Sequence, residues 1–329
     1  MIKVKQYENI NLQRWRALLE QSATATWFQT PEAYDFYSSN QEELMPYALG
    51  VEEDGVLYGV VVTYITQEKS VLKQYFTCRA IVVGGLLLAD DISDEALAAL
   101  LKAIRRLGDK AIYVETRNFH DYSKWKSIFE ANGFTYQPHY DIHVHCNAQY
   151  QMSERRQREL KRAIKNGATV AQAQSEQEIR DWYQILSGLY REKVHTPLFS
   201  EDFFLQFYRN GVGKYLLVKH EDKIIGGMMC PILDGKAIYE WYVCGLDEEY
   251  RDLYPSVLAT YAAIEYAKNH SLPLFDFMGA GEPDIPYGVR DFKMEFGGEL
   301  KEYGRFLCIR KPLLYKIGKM GVKWLKRKR

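Results

Sequence analysis

Lys293 follows Phe292 inside a glycine-flanked segment, residues 288–298, and is the side chain best placed to form part of a site. A positive charge held in a cleft can stabilise an oxyanion that develops during a reaction, without a covalent enzyme intermediate. Lys293 is therefore the candidate catalytic residue, and Phe292 would shape its pocket. A surface lysine that pairs with Asp291 or Glu295 explains the same residues equally well.

Polar and aromatic side chains on two nearby strands are weaker candidates for substrate binding. A short apolar strand, Leu274–Met278, contains Asp276 and ends at Gly279, where a glycine lets the backbone turn sharply. A second strand, 237–244, supplies Tyr239 and Tyr242. Strand alternation predicts Tyr239 and Trp241 on one face and Glu240 and Tyr242 on the other.

The residues that commonly bind metals or act as nucleophiles are dispersed along the chain. His143 and His145 share one face of a predicted strand, but no third ligand has a suitable spacing, so no metal site is predicted. The five cysteines include no CxxC motif, which argues against a zinc site and a disulfide scaffold. No nucleophile with a neighbouring base is evident, and no cofactor is expected.

Residues 153–167 form a predicted helix that is rich in arginine. Ser153 is a suitable N-cap, and Asn166-Gly167 a suitable end. One face carries Arg155, Arg158, Arg162 and Lys165, while Leu160 and Ile164 are expected to turn inward. Such a face is usually solvated. The functional alternative is a phosphate-binding patch for a nucleotide-linked sugar or tRNA, with Arg155 and Arg158 as candidates.

The elements that would position these residues occur twice. Glu53-Asp54-Gly55-Val56-Leu57-Tyr58-Gly59 aligns with Glu221-Asp222-Lys223-Ile224-Ile225-Gly226-Gly227, each as a turn between two strands. A helix and a further strand follow in both halves. This order predicts a duplicated α/β unit. The segment 71–76 is predicted to continue the first sheet as a strand.

The same residues resemble the closing signature of the Fem family of non-ribosomal aminoacyltransferases. The matching motifs are Asp276-Phe277-x-Gly279 and Gly288-x-x-x-Phe292-Lys293-x-x-Phe296-Gly297-Gly298. A family Phe-Gln-Ser/Thr segment matches Phe28-Gln29-Thr30, which makes Gln29 a substrate-binding candidate. Two family features are absent. Tyr37 stands about where peptidoglycan-specific members carry a lysine, and Thr196-Pro197 with Phe199 replaces an arginine.

The resemblance implies an α/β (α+β) protein made of two tandem GNAT-like domains, with mixed sheets flanked by helices. We expect the first domain at 1–146, the second at 147–310 and a basic amphipathic helix at 311–329. The family's reaction moves an aminoacyl group from tRNA to an amine of a peptidoglycan precursor. The chain has no long helical hairpin in its pattern and is therefore closer to the compact FemX type.

The sequence also contains information about the donor of the acyl group. GNAT enzymes hold the coenzyme A pyrophosphate on a glycine-rich turn at a helix start, where backbone amides approach the phosphates. The corresponding place here reads Arg251-Asp252-Leu253-Tyr254-Pro255-Ser256, without an open amide nest. Aminoacyl-tRNA is thus favoured as donor. The alternatives are an N-acyltransferase with an acyl-CoA or acyl-carrier donor acting on a sugar or small amine, and a non-catalytic binding protein.

Composition limits the remaining classes of function. The chain has 329 residues, and 43 Lys and Arg balance 43 Asp and Glu, so no global field favours nucleic acid or membrane. Without an apolar signal core near residue 1, a cytoplasmic location is expected. In the last helix Leu313, Ile317, Met320 and Trp324 form an apolar stripe. We expect the stripe to pack on the first domain, and peripheral contact with an anionic membrane is the alternative.

Overall fold

The computed structural model describes residues 1–327, with side-chain surroundings for residues 1–70 and 74–320. The chain forms two compact units, one of residues 1–139 together with the segment from 302 onward, and one of residues 140–301. Among the described residues, every helix is too short or too polar to cross a lipid bilayer.

The first unit is a mixed sheet with helices packed against it. Its strands are β1 (Ile2–Gln6), β2 (Leu44–Glu53), β3 (Val56–Thr66), β4 (Ala80–Gly84), β5 (Leu87–Leu88), β6 (Tyr113–Asn118), β7 (Thr135–Gln137) and β16 (Arg305–Ile309). Its helices are α1 (Leu12–Gln21), α2 (Pro31–Ser38), α3 (Val71–Thr77), α4 (Asp94–Leu107), α5 (Lys126–Ala131) and α11 (Pro312–Arg327). The strand order is β1-β2-β3-β4-β6-β16-β7, and β5 pairs with β3.

Helix α4 supplies much of the core of the first unit. Its N-cap is Ser93, whose hydroxyl accepts a hydrogen bond from the Ala96 amide at 3.1 Å. Leu97, Leu100, Leu101 and Ile104 recur at helical spacing and are buried. Burying each such side chain contributes about 1.5–3 kcal/mol, so this face stabilises the packing of the helix on the sheet.

The second unit repeats this architecture. Its strands are β8 (Tyr140–His145), β9 (Thr169–Gln172), β10 (Gly213–His220), β11 (Lys223–Leu233), β12 (Ala237–Tyr239), β13 (Tyr242–Gly245), β14 (Leu274–Asp276) and β15 (Glu299–Glu302). Its helices are α6 (Glu154–Lys165), α7 (Glu176–Leu189), α8 (Glu201–Arg209), α9 (Pro255–Asn269) and α10 (Gly288–Met294). The strand order is β9-β10-β11-β12-β14-β8-β15, and β13 pairs with β11.

The two sheets agree in detail, which confirms the predicted duplication. Each contains a parallel pair at the corresponding position, β4 with β6 and β12 with β14. The hairpins β2–β3 and β10–β11 both turn through consecutive residues with positive φ, Asp54-Gly55 and Glu221-Asp222. Each hairpin also has a register shift just before its turn.

The expected domain boundaries were wrong. Strand β8 precedes residue 147 but pairs with β14 in the second sheet, where His143 lies opposite Asp276. Strand β16 precedes residue 310 but pairs with β6 and β7 in the first sheet. Each unit therefore takes the strand at this position from the other half of the sequence. An apolar pattern identifies a strand but does not specify its partner.

Two further local predictions were wrong. Residues 71–76 form part of helix α3 rather than a strand, an ambiguity typical of short apolar runs. In α11, Leu314 and Tyr315 pack against the core of the first unit, whereas Leu313, Ile317 and Met320 are 77%, 51% and 62% exposed. The predicted stripe thus faces solvent as far as Met320, and Trp324 lies outside the residues whose side chains are described.

Candidate active site

The residues Asp276 to Gly279 form a tight turn at the end of β14. Met278 has φ +56° and Gly279 has φ +125°, a conformation that favours glycine. Oδ1 of Asp276 accepts a hydrogen bond from the Met278 amide at 2.6 Å, and Oδ1 of Asp141 accepts one from the Gly279 amide at 2.7 Å. Asp276 is fully buried, so its side chain shapes the turn instead of facing a substrate.

This turn holds Lys293 of helix α10. The Lys293 side chain is 11% exposed, and its Nζ donates to the carbonyl oxygens of Phe277 at 2.8 Å and Gly279 at 2.9 Å. A third acceptor, Oε1 of Glu240, lies 3.0 Å away. All three N–H bonds of the ammonium therefore have an acceptor. The carboxylate beside Lys293 is therefore that of Glu240, whereas the sequence suggested Asp291 or Glu295.

Glu240 reaches Lys293 because the strand is interrupted. Ile232 is opposite Ile238 whereas Met229 is opposite Tyr242, so one extra residue lies between β12 and β13. Such a bulge redirects side chains and is frequent beside active sites. Burial raises the pKa of Glu240, and the Lys293 ammonium opposes that rise. Nothing in the sequence pattern signals Glu240, since regular alternation places it with Tyr242.

Because of this bulge, the predicted distribution of side chains between the two faces of this strand was wrong. Trp241 lies 5.5 Å from Phe203, ring centroid to ring centroid, and Tyr242 lies 5.0 Å from Phe204. Consecutive residues therefore contact the same helix, α8. Tyr239 is 1% exposed and lies on β12 opposite Asp276. Tyr239 and Tyr242 belong to the packing around the site.

Phe292 is backed by a residue that the sequence did not single out, Arg156. The guanidinium carbon lies 4.3 Å from the centre of the Phe292 ring and 5.4 Å from that of Phe296. Arg156 is 4% exposed, with Glu159 at 2.5 Å and Glu295 at 2.8 Å. A buried, doubly paired arginine thus fixes helix α6 against α10.

The two arginines predicted to bind phosphate lie on the exposed face of α6, and each has a carboxylate nearby. Arg155 Nε is 2.9 Å from Glu159, and Arg158 Nη1 is 3.4 Å from Glu154. Ser153 caps the helix as predicted. Ile164 was predicted to face the protein interior, but it is 57% exposed, and Ala163 is buried instead. These contacts are ion pairs on a solvent-exposed helix surface.

Gln29 lies in the first unit and ties two strands together. Its Nε2 donates to the Val83 carbonyl at 2.8 Å, and its Oε1 accepts from the Val62 amide at 2.8 Å. Its side chain is fully buried. The structure therefore corrects the expected ligand contact: both ends of this amide join β3 to β4.

A buried cluster lies directly behind the turn. His143 Nε2 is 3.3 Å from Oδ2 of Asp276 and 3.9 Å from Oδ2 of Asp141. Burial, then the Asp276 carboxylate, raise the pKa of Asp141 to about 8. Burial opposes protonation of His143, but Asp276 outweighs it and raises the His143 pKa. His145 is 52% exposed, so the expected histidine pair is replaced by one histidine with two aspartates.

The helix start where GNAT enzymes hold pyrophosphate is occupied by a carboxylate. Helix α9 begins at Pro255, and Tyr254 before it has φ +44°. Oδ1 of Asp247 accepts from the Ser256 amide at 3.1 Å, and Oδ2 accepts from the Ser256 hydroxyl. A negative side chain thus takes the position at which a phosphate would be stabilised.

Comparison with known proteins identifies the fold. Residues 152–294 match the family described as Acetyltransferase (GNAT) domain. No curated protein matches the sequence. FemX superposes with a TM-score of 0.70 at 15% identity, over 96% of this chain and 99% of that one.

Two other solved structures have similar coverage. L-PGS from Bacillus licheniformis gives a TM-score of 0.58 at 13% identity, over 94% of this chain and 96% of that one. A tandem GNAT protein from the clavulanic acid biosynthesis pathway gives 0.55 at 11%, over 94% and 98%. At such identities the likeness establishes the fold and not the substrate. The chain has the tandem GNAT fold and carries an acyltransferase domain.

Proposed function

We propose, from the premise that this chain is a tandem-GNAT acyltransferase, that it is a Fem-like aminoacyltransferase. It would move an aminoacyl group from tRNA to an amine of a peptidoglycan precursor. The observation that carries the proposal is the Lys293 ammonium, which two backbone carbonyls and Glu240 hold in a nearly buried position beside Phe292.

The chemistry balances without a cofactor. The amine nitrogen attacks the ester carbonyl, a C–N bond forms, and the carbonyl oxygen becomes an oxyanion. The C–O bond to the ribose then breaks, and the proton lost by the amine ends on the departing ribose hydroxyl. The Phe277 and Gly279 carbonyls would keep two N–H bonds of Lys293 in place. The oxyanion would take the third, which Glu240 now accepts.

The start of helix α9 favours aminoacyl-tRNA over acyl-CoA. Because Asp247 already accepts from the Ser256 amide, a pyrophosphate at this helix start would meet a like charge. An acyl-CoA enzyme built on the same fold would need that position free. Acetyl-CoA is therefore tested as a second donor, beside charged tRNA.

A specific observation also supports a second candidate, a non-catalytic binding protein. Every N–H bond of Lys293 already has an acceptor, as expected for a lysine that only holds the turn against α10. The two candidates differ in what the Lys293 charge does, so substitution separates them.

The test compares Lys293→Met, Lys293→Arg and the double variant Lys293→Met with Glu240→Gln. The single Met variant leaves Glu240 buried without its cation, which typically costs about 3–5 kcal/mol of stability. The double variant removes both charges and is the informative one. Lys301→Met is the control, since Lys301 pairs with Glu299 at 2.6 Å and is more exposed.

Transfer from charged tRNA to a nucleotide-linked muropeptide, and from acetyl-CoA, is measured under single turnover. We expect the double variant to lose about a hundredfold to a thousandfold in rate, as when one oxyanion donor is removed. The Arg variant should retain only part of the activity because guanidinium is planar and longer. A folded double variant with the wild-type rate would support the binding protein instead.

We also propose a cytoplasmic location with peripheral contact at the membrane surface. The exposed residues Leu313, Ile317 and Met320 of α11 lie beside Lys316 and Lys319, a combination that suits an anionic lipid surface. A lipid-linked acceptor would then be within reach.

A further inference from the structure

The Asp141–His143–Asp276 cluster has the donor set and the spacing of a cation site. Its three residues each offer one ligand atom, and these atoms lie within 4.8 Å of one another. The three residues are 2%, 4% and 0% exposed. The cluster belongs to the second unit, on β8 and at the end of β14.

Both aspartates are oriented in the way that metal-ligating carboxylates usually are. Oδ1 of Asp141 accepts from the Ile142 and Gly279 amides, each at 2.7 Å, and Oδ1 of Asp276 accepts from the Met278 amide at 2.6 Å. These bonds direct each Oδ2 toward His143. Apart from these contacts with His143 Nε2 at 3.3 Å and 3.9 Å, neither Oδ2 has a hydrogen-bond partner among the described residues, although both are buried. Hydrogen bonds of this kind, made by the oxygen that does not bind the ion, fix ligating carboxylates in metalloproteins.

The charges of the cluster also favour a bound cation. Two carboxylates share this buried space with one imidazole, and the cation at the turn, Lys293, lies against Glu240. Metal ligation requires ionised carboxylates and a neutral imidazole, and in that state the two negative charges of the cluster would be balanced by one divalent ion.

We infer that Asp141 Oδ2, His143 Nε2 and Asp276 Oδ2 bind a divalent transition-metal ion, zinc in particular. Two ligand atoms about 2.0–2.2 Å from a tetrahedral zinc lie roughly 3.4 Å apart, which compares with 3.3 Å and 3.9 Å here. Imidazole favours zinc over calcium and magnesium, which prefer all-oxygen ligand sets. With three protein ligands, a water molecule completes the coordination. The ion would join β8 to the turn that holds Lys293.

The first experiment measures metal in the full chain. Protein purified without chelator, and protein stripped and then incubated with zinc chloride, are assayed by elemental analysis. Cobalt(II) replaces zinc for visible spectroscopy. We expect about one zinc per chain, a melting temperature that falls with EDTA and recovers with zinc, and a tetrahedral cobalt spectrum.

Isosteric variants assign the ligands. Asp141→Asn and Asp276→Asn keep the Oδ1 bonds to backbone amides and lose the anionic ligand. Each should weaken zinc binding at least about a hundredfold, since loss of a residue that merely orients a ligand already costs about 10- to 100-fold. The matched control is His145→Gln, on the same strand but 52% exposed beside Glu299, which should bind zinc like the wild type.

If an Asn variant fails to fold, the measurements on the wild-type protein still test the inference. Wild-type protein that holds no metal after incubation with zinc, and whose melting temperature neither zinc nor EDTA changes, would overturn the inference. Equal zinc content in folded Asn variants and wild type would overturn the ligand assignment. Because these readouts do not involve aminoacyl transfer, they are independent of the proposed function.

Discussion

Arg155 and Arg156 are neighbours that contact the same two carboxylates, Glu159 and Glu295, yet the Arg155 side chain is 63% exposed and that of Arg156 only 5%. Removing one partner from a buried ion pair leaves uncompensated charge, whereas an exposed pair contributes little. Arg156→Met should therefore lower the free energy of unfolding by about 3–5 kcal/mol, and Arg155→Met by less than about 1 kcal/mol. Urea unfolding of both variants measures the difference.

Arg156→Met should also reduce aminoacyl transfer, because the guanidinium lies 4.3 Å from the ring of Phe292, next to Lys293. Arg155→Met provides the matched control for this effect. Equal stability losses in the two variants would show that burial does not decide the strength of these ion pairs.

At the scale of residues, the sequence singled out Lys293 and Phe292 as candidates but did not indicate the side chains that hold them. Glu240 was missed because a one-residue bulge breaks the alternation that places strand side chains. Arg156 was missed because its burial depends on Glu295, which is distant in sequence. Local patterns carry no information about such partners.

Among the elements, strand β16 is joined to β6 by an ion pair in addition to its backbone pairing. Glu115 on β6 lies 2.7 Å from Arg117 and 3.3 Å from Arg305 of β16. Burial tends to raise the pKa of Glu115, but Arg117 and Arg305 outweigh it and lower that pKa below its ordinary value of 4.5. The ionised carboxylate is thus more favourable in the folded state than in the unfolded chain.

A lowered carboxyl pKa gives stability that is complete above the unfolded-state pKa and is lost as pH falls through the folded-state value. Glu115→Gln should therefore be less stable than wild type at pH 7, by about 1.4 kcal/mol per unit of pKa lowering. The difference should shrink below pH 4.5. Urea midpoints at several pH values measure it, and a difference independent of pH would contradict the assignment.

The duplicated order of elements was predictable because each half repeats the same turn and the same succession of strands and helix. The sheet to which β8 and β16 belong was not predictable, since each pairs with strands of the other half of the sequence and an apolar pattern does not specify such partners. The apolar stripe of α11 illustrates the same limit. Sequence periodicity correctly predicted a helix, but burial fell on Leu314 and Tyr315 instead.

For the molecule as a whole, charge is balanced in number but not in position. Residues 310–329 contain nine Lys and Arg and no acidic residue, although the full chain has zero net charge. Each basic residue near an anionic bilayer contributes about 1 kcal/mol, and exposed apolar side chains add to that. We expect the protein to sediment with phosphatidylglycerol vesicles and not with phosphatidylcholine vesicles, and salt to weaken this binding.

The double variant Leu313→Ser with Ile317→Ser should lose most of the vesicle binding. Ile164→Ser is the matched control, because Ile164 is 57% exposed on a different helix. Binding that survives the double variant but not high salt would leave charge alone as the cause. Binding to neither vesicle would contradict peripheral contact.

The exchange of β8 and β16 between the two halves affects how the protein is made. A ribosome completes residues 140–301 as one uninterrupted stretch, whereas the first sheet lacks β16, between β6 and β7, until residue 309 has been added. At about 5–20 residues per second, the earlier strands wait about 10–30 s for that partner. The later-encoded unit is thus the first that can finish folding. During this interval β6 and β7 lack their common partner, and we expect chaperones to bind the nascent chain at these unpaired edges.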